Sequence, residues 1–236
     1  MNTSHSQEPK DRSVKISKAL AYLLRHGAVK ENLPIDSDGY IALDRILQHN
    51  RLKSLKATST EIQHIVASND KQRFHIKTDP NTGIMYVCAT QGHTLKQIAP
   101  SQHVLKPITN IEQLSSKLVH GTNVSNCISI LHSGFIKKMS RNHVHLSPGI
   151  TGKDTDVISG MRSSSNVYIH IKRIQEMLDS LNLVKSLNNV YLTSQDIPLK
   201  FIDFIQVRKG RSAASSEQLQ QLKKLATEMK VPIEII

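Results

Sequence analysis

Arginine, histidine and small hydroxyl residues gather in five short segments of the chain. They are Leu23-Leu24-Arg25-His26-Gly27, Asp70-Lys71-Gln72-Arg73-Phe74, His120-Gly121-Thr122, His143-Val144-His145-Leu146-Ser147 and Gly160-Met161-Arg162-Ser163-Ser164-Ser165. Each sits at the edge of an apolar stretch, where a rigid element can aim it. Few acidic residues accompany them, so the set suits phosphate chemistry and not hydrolysis by paired carboxylates. In the last segment Gly160 permits a tight backbone, Arg162 brings a fixed charge, and Ser163, Ser164 and Ser165 can donate to phosphate oxygens; a plain polar loop fits equally. Arg25 and His26 close a helix, where cations also simply complement the dipole. Arg73 opens a strand and could be a solvated edge charge, with Lys71 sharing either role. His120-Gly121-Thr122 precedes a helix that Thr122 can cap, and Gly121 lets a ligand approach the backbone. His143 and His145 have the spacing of metal ligands on one strand face, but a hydrolytic metal needs further ligands, and none is expected. No P-loop and no G-x-G-x-x-G occurs.

The elements that carry these segments follow from pattern. The polar residues 1–13 read as a disordered tail. Ser13 can cap a helix with the stripe Ile16, Ala19, Leu20, Leu23 and Leu24, and Gly27 stops it. A short strand at 40–43, a helix through 44–49 and a helix capped at 58–60 come next. The strands 73–77 and 84–88 flank Asp79-Pro80-Asn81-Thr82-Gly83, a hairpin signal. Helix, short strand, two helices and hairpin in that order fit a winged-helix-like lobe over 14–95. Residues 96–107 read as a linker. The remainder, 108–236, mixes helices at 123–132, 173–181 and 215–228 with strands at 144–147, 167–171, 190–192 and 201–207. The fold class is therefore α+β with a mainly antiparallel sheet in the second lobe.

The chain has 236 residues and a formal net charge of +12, which calls for a polyanionic partner. Aromatic residues make up only 4% and tryptophan is absent, so phosphate and sugar contacts should outweigh base stacking. Two distant cysteines, Cys88 and Cys127, provide neither a disulfide framework nor a Cys-rich zinc site. No stretch is long and apolar enough for a bilayer, and the start lacks a signal-peptide core. A monomer in the cytoplasm, the nucleus or both is expected.

Taken in order, the segments resemble the RNA 2′-phosphotransferase family over residues 14 to about 207. The likeness is carried by Ser17-Lys18-Ala19-Leu20 leading into Leu24-Arg25-His26, by Asn69-Asp70-Lys71-Gln72-Arg73-Phe74, and by Gln91-Gly92-His93. It continues through His120-Gly121-Thr122, His143-Val144-His145-Leu146-Ser147 and Gly160-Met161-Arg162. The resemblance implies an ADP-ribosyltransferase-like second lobe and NAD⁺ as a consumed co-substrate, without metal. It implies removal of the splice-junction 2′-phosphate from tRNA through an ADP-ribosylated phosphate. The products are 2′-hydroxyl RNA, ADP-ribose 1″,2″-cyclic phosphate and nicotinamide. The family's catalytic Arg-His-Arg-Arg set maps onto Arg25, His26, Arg73 and Arg162. His120, Gly121, Thr122, His145 and Ser147 fall on NAD-lining motifs; Lys71, Ser163 and Ser164 are expected at phosphate or RNA. Two further outcomes remain at this stage, a transferase that caps terminal RNA or DNA phosphates with ADP-ribose and a non-catalytic RNA-binding protein.

The implied chemistry suits these residue types. Nicotinamide leaves a cationic glycoside as a neutral base, so the first step depends on alignment more than on acid catalysis. Attack of a ribose hydroxyl on phosphorus then concentrates negative charge on its oxygens. A guanidinium at ~4 Å, at an effective dielectric of ~20, is worth ~4 kcal/mol there before desolvation. A histidine with a near-neutral pKa can orient or deprotonate that hydroxyl.

Overall fold

A computed structural model describes residues 8–155, 157–208 and 215–236 of the chain. The fold is mixed α/β with mostly antiparallel sheets, and it divides into two compact units, Met1–Val104 and Leu105–Ile236.

In the first unit, helix α1 (Glu8–Tyr22) buries Ile16 and Leu20 on one face, and that stripe continues through Leu23 and Leu24. The helix begins ahead of the expected Ser13 cap and inside the stretch read as a tail, of which residues 1–7 lie outside the described residues. Its early turns are anchored because Arg12 donates to both carboxylate oxygens of Glu61, at 2.7 and 3.2 Å. The chain then tightens into a π-helical turn, Leu23–Gly27. The helical run ends at Gly27, as expected from sequence, but without a left-handed turn, since Ala28 beyond it keeps right-handed helical angles. Glycine is required there because a Cβ would lie 2.5 Å from the Tyr22 ring.

Strand β1 (Tyr40–Ala42) leads into α2 (Leu43–Leu47), and the short α3 (Asn50–Lys53) follows with His49 as its cap. Helix α4 (Ser59–Ala67) starts at a reciprocal capping box between Thr58 and Glu61. Strands β2 (Phe74–Thr78) and β3 (Met85–Ala89) form the expected hairpin, its turn closed by Asp79 accepting from the N–H groups of Asn81 and Thr82. The sheet runs β1-β3-β2, antiparallel throughout, and its Ile41, Val87 and Phe74 join α1, α2 and α4 in one core.

The second unit opens with β4 (Leu105–Pro107), β5 (Val119–Thr122), α5 (Val124–Ser133), β6 (Phe135–Ile136) and β7 (Val144–Leu146). It continues with β8 (Val167–Ile171), α6 (Gln175–Leu181), β9 (Val184–Ser186), β10 (Tyr191–Thr193) and β11 (Ile197–Pro198). It closes with β12 (Ile202–Val207), α7 (Ser216–Glu228) and β13 (Ile233–Ile235). Two four-stranded sheets result, β4-β9-β10-β7 and β13-β12-β8-β5, with a β11-β6 pair beside them. Among the described residues only β12 and β13 pair in parallel. Val167, Ile169 and Ile171 of β8 share a core with Cys127 and Leu131 of α5, Met177 of α6 and Leu222 of α7. Within the stretch read as a linker, Ile98 belongs to the first unit's core and residues 105–107 are strand β4. Among the described residues no helix is long and apolar enough to cross a membrane.

Candidate active site

In the first unit, one five-residue segment, 90–94, ties the two predicted arginines. Thr90 N–H donates to the Arg73 carbonyl at 3.0 Å, and Thr94 N–H donates to the Arg25 carbonyl at 3.0 Å. Between them Gly92 has φ +86°, and a Cβ there would sit 3.6 Å from Arg25 Nε, so its bare backbone lies along that side chain. Arg25 and His26 both ride on the π-helical turn, an irregularity frequent at functional sites. His26 Nδ1 is 3.0 Å from Thr94 Oγ1, whose own hydroxyl points at the Arg25 carbonyl. That chain makes Nδ1 the donor and leaves Nε2 as the basic nitrogen.

Asn69 positions Arg73. Its Oδ1 accepts from the Lys71 and Arg73 N–H groups, each at 3.2 Å, and from Arg73 Nη1 at 3.4 Å. The turn costs strain, since Gln72 adopts φ +43° without being glycine. The Arg73 head is thus held from behind while the strand β2 begins at Phe74.

In the second unit, His120-Gly121-Thr122 precedes helix α5, as expected, and belongs to strand β5, at the edge of its sheet. Thr122 is buried and its carbonyl accepts from Asn166 N–H; the helix cap is Asn123, whose side chain accepts from Asn126 N–H at 2.8 Å. Leu118 and Thr122 bond inward to β8, and Val119 bonds outward to Ser147 at 2.8 and 2.9 Å. By the alternation of an antiparallel strand, Gly121 turns its N–H and C=O outward, where no strand among the described residues pairs with it. His120 Nδ1 is 3.1 Å from the His145 carbonyl, an acceptor only, which assigns the proton to Nδ1 and the lone pair to Nε2. Burial, with the Arg141 charge adding to it, holds His120 below the usual histidine range, so the ring is neutral at pH 7.

Ser147 and Gly160 set the loop that carries Arg162. Ser147 is fully buried and its hydroxyl donates to the Ser159 carbonyl at 3.1 Å. At φ +116°, Gly160 packs so closely that a Cβ would be 2.9 Å from Ser147 Cα. The loop then turns, Ser165 N–H donating to the Arg162 carbonyl at 3.0 Å, with Arg162, Ser163 and Ser164 exposed. The His145 imidazole is buried on β7, whereas His143 lies just before that strand.

Arg141 escaped the sequence reading. Burial and then the facing charge of Arg162 disfavour its protonated form, and it also acts on His120. Neither arginine forms an ion pair among the described residues. Two arginines whose charges act on each other, neither in an ion pair among the described residues, suit an anion. The signal was the basic run Lys137, Lys138, Arg141 leading into the His143 segment.

Tethered arginines in the first unit, and a neutral imidazole beside an outward strand-edge peptide in the second, each suit the binding of a phosphate or a nucleotide. The family described as RNA 2′-phosphotransferase, Tpt1 / KptA family, matches residues 11–195, and the chain belongs to it. It is 52% identical to the tRNA 2′-phosphotransferase of Saccharomyces cerevisiae, over 95% of this chain and 96% of that protein. It is also 36% identical to tRNA 2′-phosphotransferase 1 of Homo sapiens, over 87% and 80% of the two chains. A probable RNA 2′-phosphotransferase of Flavobacterium johnsoniae is 31% identical over 80% of this chain and 94% of its own.

Proposed function

We propose that the protein removes the splice-junction 2′-phosphate of tRNA by transferring it to NAD⁺, giving 2′-hydroxyl RNA, ADP-ribose 1″,2″-cyclic phosphate and nicotinamide. The outward peptide of Gly121 carries the NAD⁺ assignment. An adjacent N–H and C=O on a strand edge offer one donor and one acceptor, the complement of a nicotinamide carboxamide. The neutral His120 beside it keeps Nε2 free to accept from a ribose hydroxyl. NAD⁺ supplies the electrophilic ribose carbon and a neutral leaving group. Two mostly antiparallel four-stranded sheets, one of them edged by β5, support an ADP-ribosyltransferase-like second unit. The order α1, β1, α2, α4 and hairpin supports a winged-helix-like, RNA-binding first unit.

The residues divide the work by chemistry. Arg25, held along Gly92, and Arg73, held by Asn69, grip the 2′-phosphate and keep it aligned as the nucleophile. Arg141 and Arg162 stabilise the negative charge that grows on the phosphoryl oxygens. His26, with Nε2 basic, takes the proton of the ribose hydroxyl that attacks phosphorus. An anionic acceptor needs no base of its own, in keeping with the lack of a carboxylate among these groups. Lys71, Ser163 and Ser164 contribute RNA contacts at the margins.

Nicotinamide release tests the assignment. Purified protein is incubated with NAD⁺ and an oligonucleotide bearing either an internal 2′-phosphate or a terminal phosphate. One nicotinamide per internal phosphate removed is expected. Release only with terminal phosphates, with ADP-ribose retained on the RNA, would make the protein a capping transferase. RNA binding without any release would make it non-catalytic.

A further inference from the structure

A cavity of about 290 Å³ opens on one face of the second unit's β5–β8–β12 sheet, and no residue of the candidate active site lines it. His170 of β8 and Phe204 of β12 are cross-strand partners there, on the face opposite Ile169 and Ile205 of the core. Their rings stack 4.1 Å apart and 9° from parallel. The pair is locked in place, because His170 Nε2 lies 3.1 Å from Gln206 Oε1 while Gln206 Nε2 donates to Glu234. Cations surround this flat platform: Lys117, Lys153 and Arg173 line the same cavity. Lys117 is taken by Asp154 at 2.6 Å, and Asp203 also lines the rim, but Lys153 and Arg173 form no ion pair among the described residues.

Flat rings beside cations that form no ion pair are the complement of a nucleotide, the base against the rings and the phosphate at Lys153 and Arg173. On this basis we infer that the β8–β12 face is a second RNA-binding pocket, taking a nucleotide of the substrate strand other than the one bearing the 2′-phosphate. The inference stands on the RNA-processing function proposed above. The pocket adds affinity for a long RNA and does no chemistry, so its loss should leave a minimal substrate untouched.

The test uses the full chain and the exposed double variant K153A/R173A, with Phe204→Leu as a second, packing-conserving variant. Equilibrium binding of a tRNA without 2′-phosphate is measured against salt. Turnover is compared between a 2′-phosphorylated tRNA and a 2′-phosphorylated trinucleotide. For K153A/R173A, tRNA binding should weaken ~10-fold near 0.1 M salt and the log–log salt slope should shrink by about two. For Phe204→Leu, binding should weaken with the slope unchanged. KM for the tRNA should rise in both while kcat and all trinucleotide parameters stay constant. tRNA affinity unchanged in both variants, or equal losses on tRNA and trinucleotide, would overturn the inference. So would tight calorimetric binding of AMP that fails to displace tRNA, which would make the pocket a free-nucleotide site. Should the wild type turn over neither substrate, the proposed reaction fails, while the binding comparison still decides the pocket.

Discussion

In the proposed reaction, Arg73 gains from being tethered. With Asn69 holding its N–H and one guanidinium nitrogen, less side-chain freedom is lost when it closes on an anion. Replacement of Arg73 or His26 by alanine should slow the phosphorus step by ~10²-fold or more, and by more than it slows nicotinamide release, so RNA joined to ADP-ribose accumulates on a denaturing gel. Equal loss of both steps, with nothing trapped, would contradict that division. Asn69→Ala should lower kcat by about 10-fold with little change in fold, because it frees the side chain without removing its charge; thermal melting separates the two effects. Arg25, His26 and Arg73 were visible as candidates in the sequence because each ends or begins an element with a strong pattern, and their proposed roles come from the family resemblance. Arg141 was not, since its role depends on the charge of Arg162, twenty-one positions on. The hydroxyl of Ser147 read as a pocket group and is instead spent on the Ser159 carbonyl, a partner that no local spacing discloses.

At the level of elements, the patterned ones were readable, as were the brief strands β1, β7 and β10, while several other brief strands were not. The stripe of α1, the Thr58 capping box of α4, the Gly134 end of α5 and the Asp79 hairpin each carry a local signal several residues long. Strands β4, β5, β6, β9, β11 and β13 span two to four residues, too few for alternation to register, and tertiary pairing makes them. The π-helical turn was hidden behind a glycine that looked like a stop. Gly27→Ala should cost about 1–3 kcal/mol by driving a methyl into the Tyr22 ring and should disturb Arg25 and His26 on the same turn. A denaturant midpoint shift accompanied by a larger loss of kcat is the expected result. The Arg12–Glu61 tie gives α1 an acid-sensitive anchor. Arg12, by hydrogen bonding first, holds the Glu61 carboxyl down at about 2, against an ordinary 4.5. A depressed carboxylate stabilises the fold above its unfolded pKa and loses that contribution as pH falls from about 4.5 to about 2. Glu61→Gln should flatten the urea-midpoint profile across that window.

Over the whole chain, histidines set the response to mild acid. His75, His120, His143 and His170 are all held below the usual histidine range, with burial the largest cause in each. The unfolded chain binds protons near pH 6.5 that the folded chain refuses, so stability is full above that pH and declines as pH drops below it. Urea midpoints that fall between pH 7 and pH 5 would bear this out; a flat profile would not. The net charge of +12 makes RNA affinity steeply dependent on salt, a property common to every RNA-binding reading and therefore unable to choose among them. The fate of one phosphorus atom can choose. RNA labelled at an internal 2′-phosphate is mixed with the protein, with and without NAD⁺, and the label is followed by chromatography. With NAD⁺ the label should move wholly into ADP-ribose cyclic phosphate, and without it the RNA should be unchanged. Label appearing as inorganic phosphate, or leaving the RNA when NAD⁺ is withheld, would contradict the account.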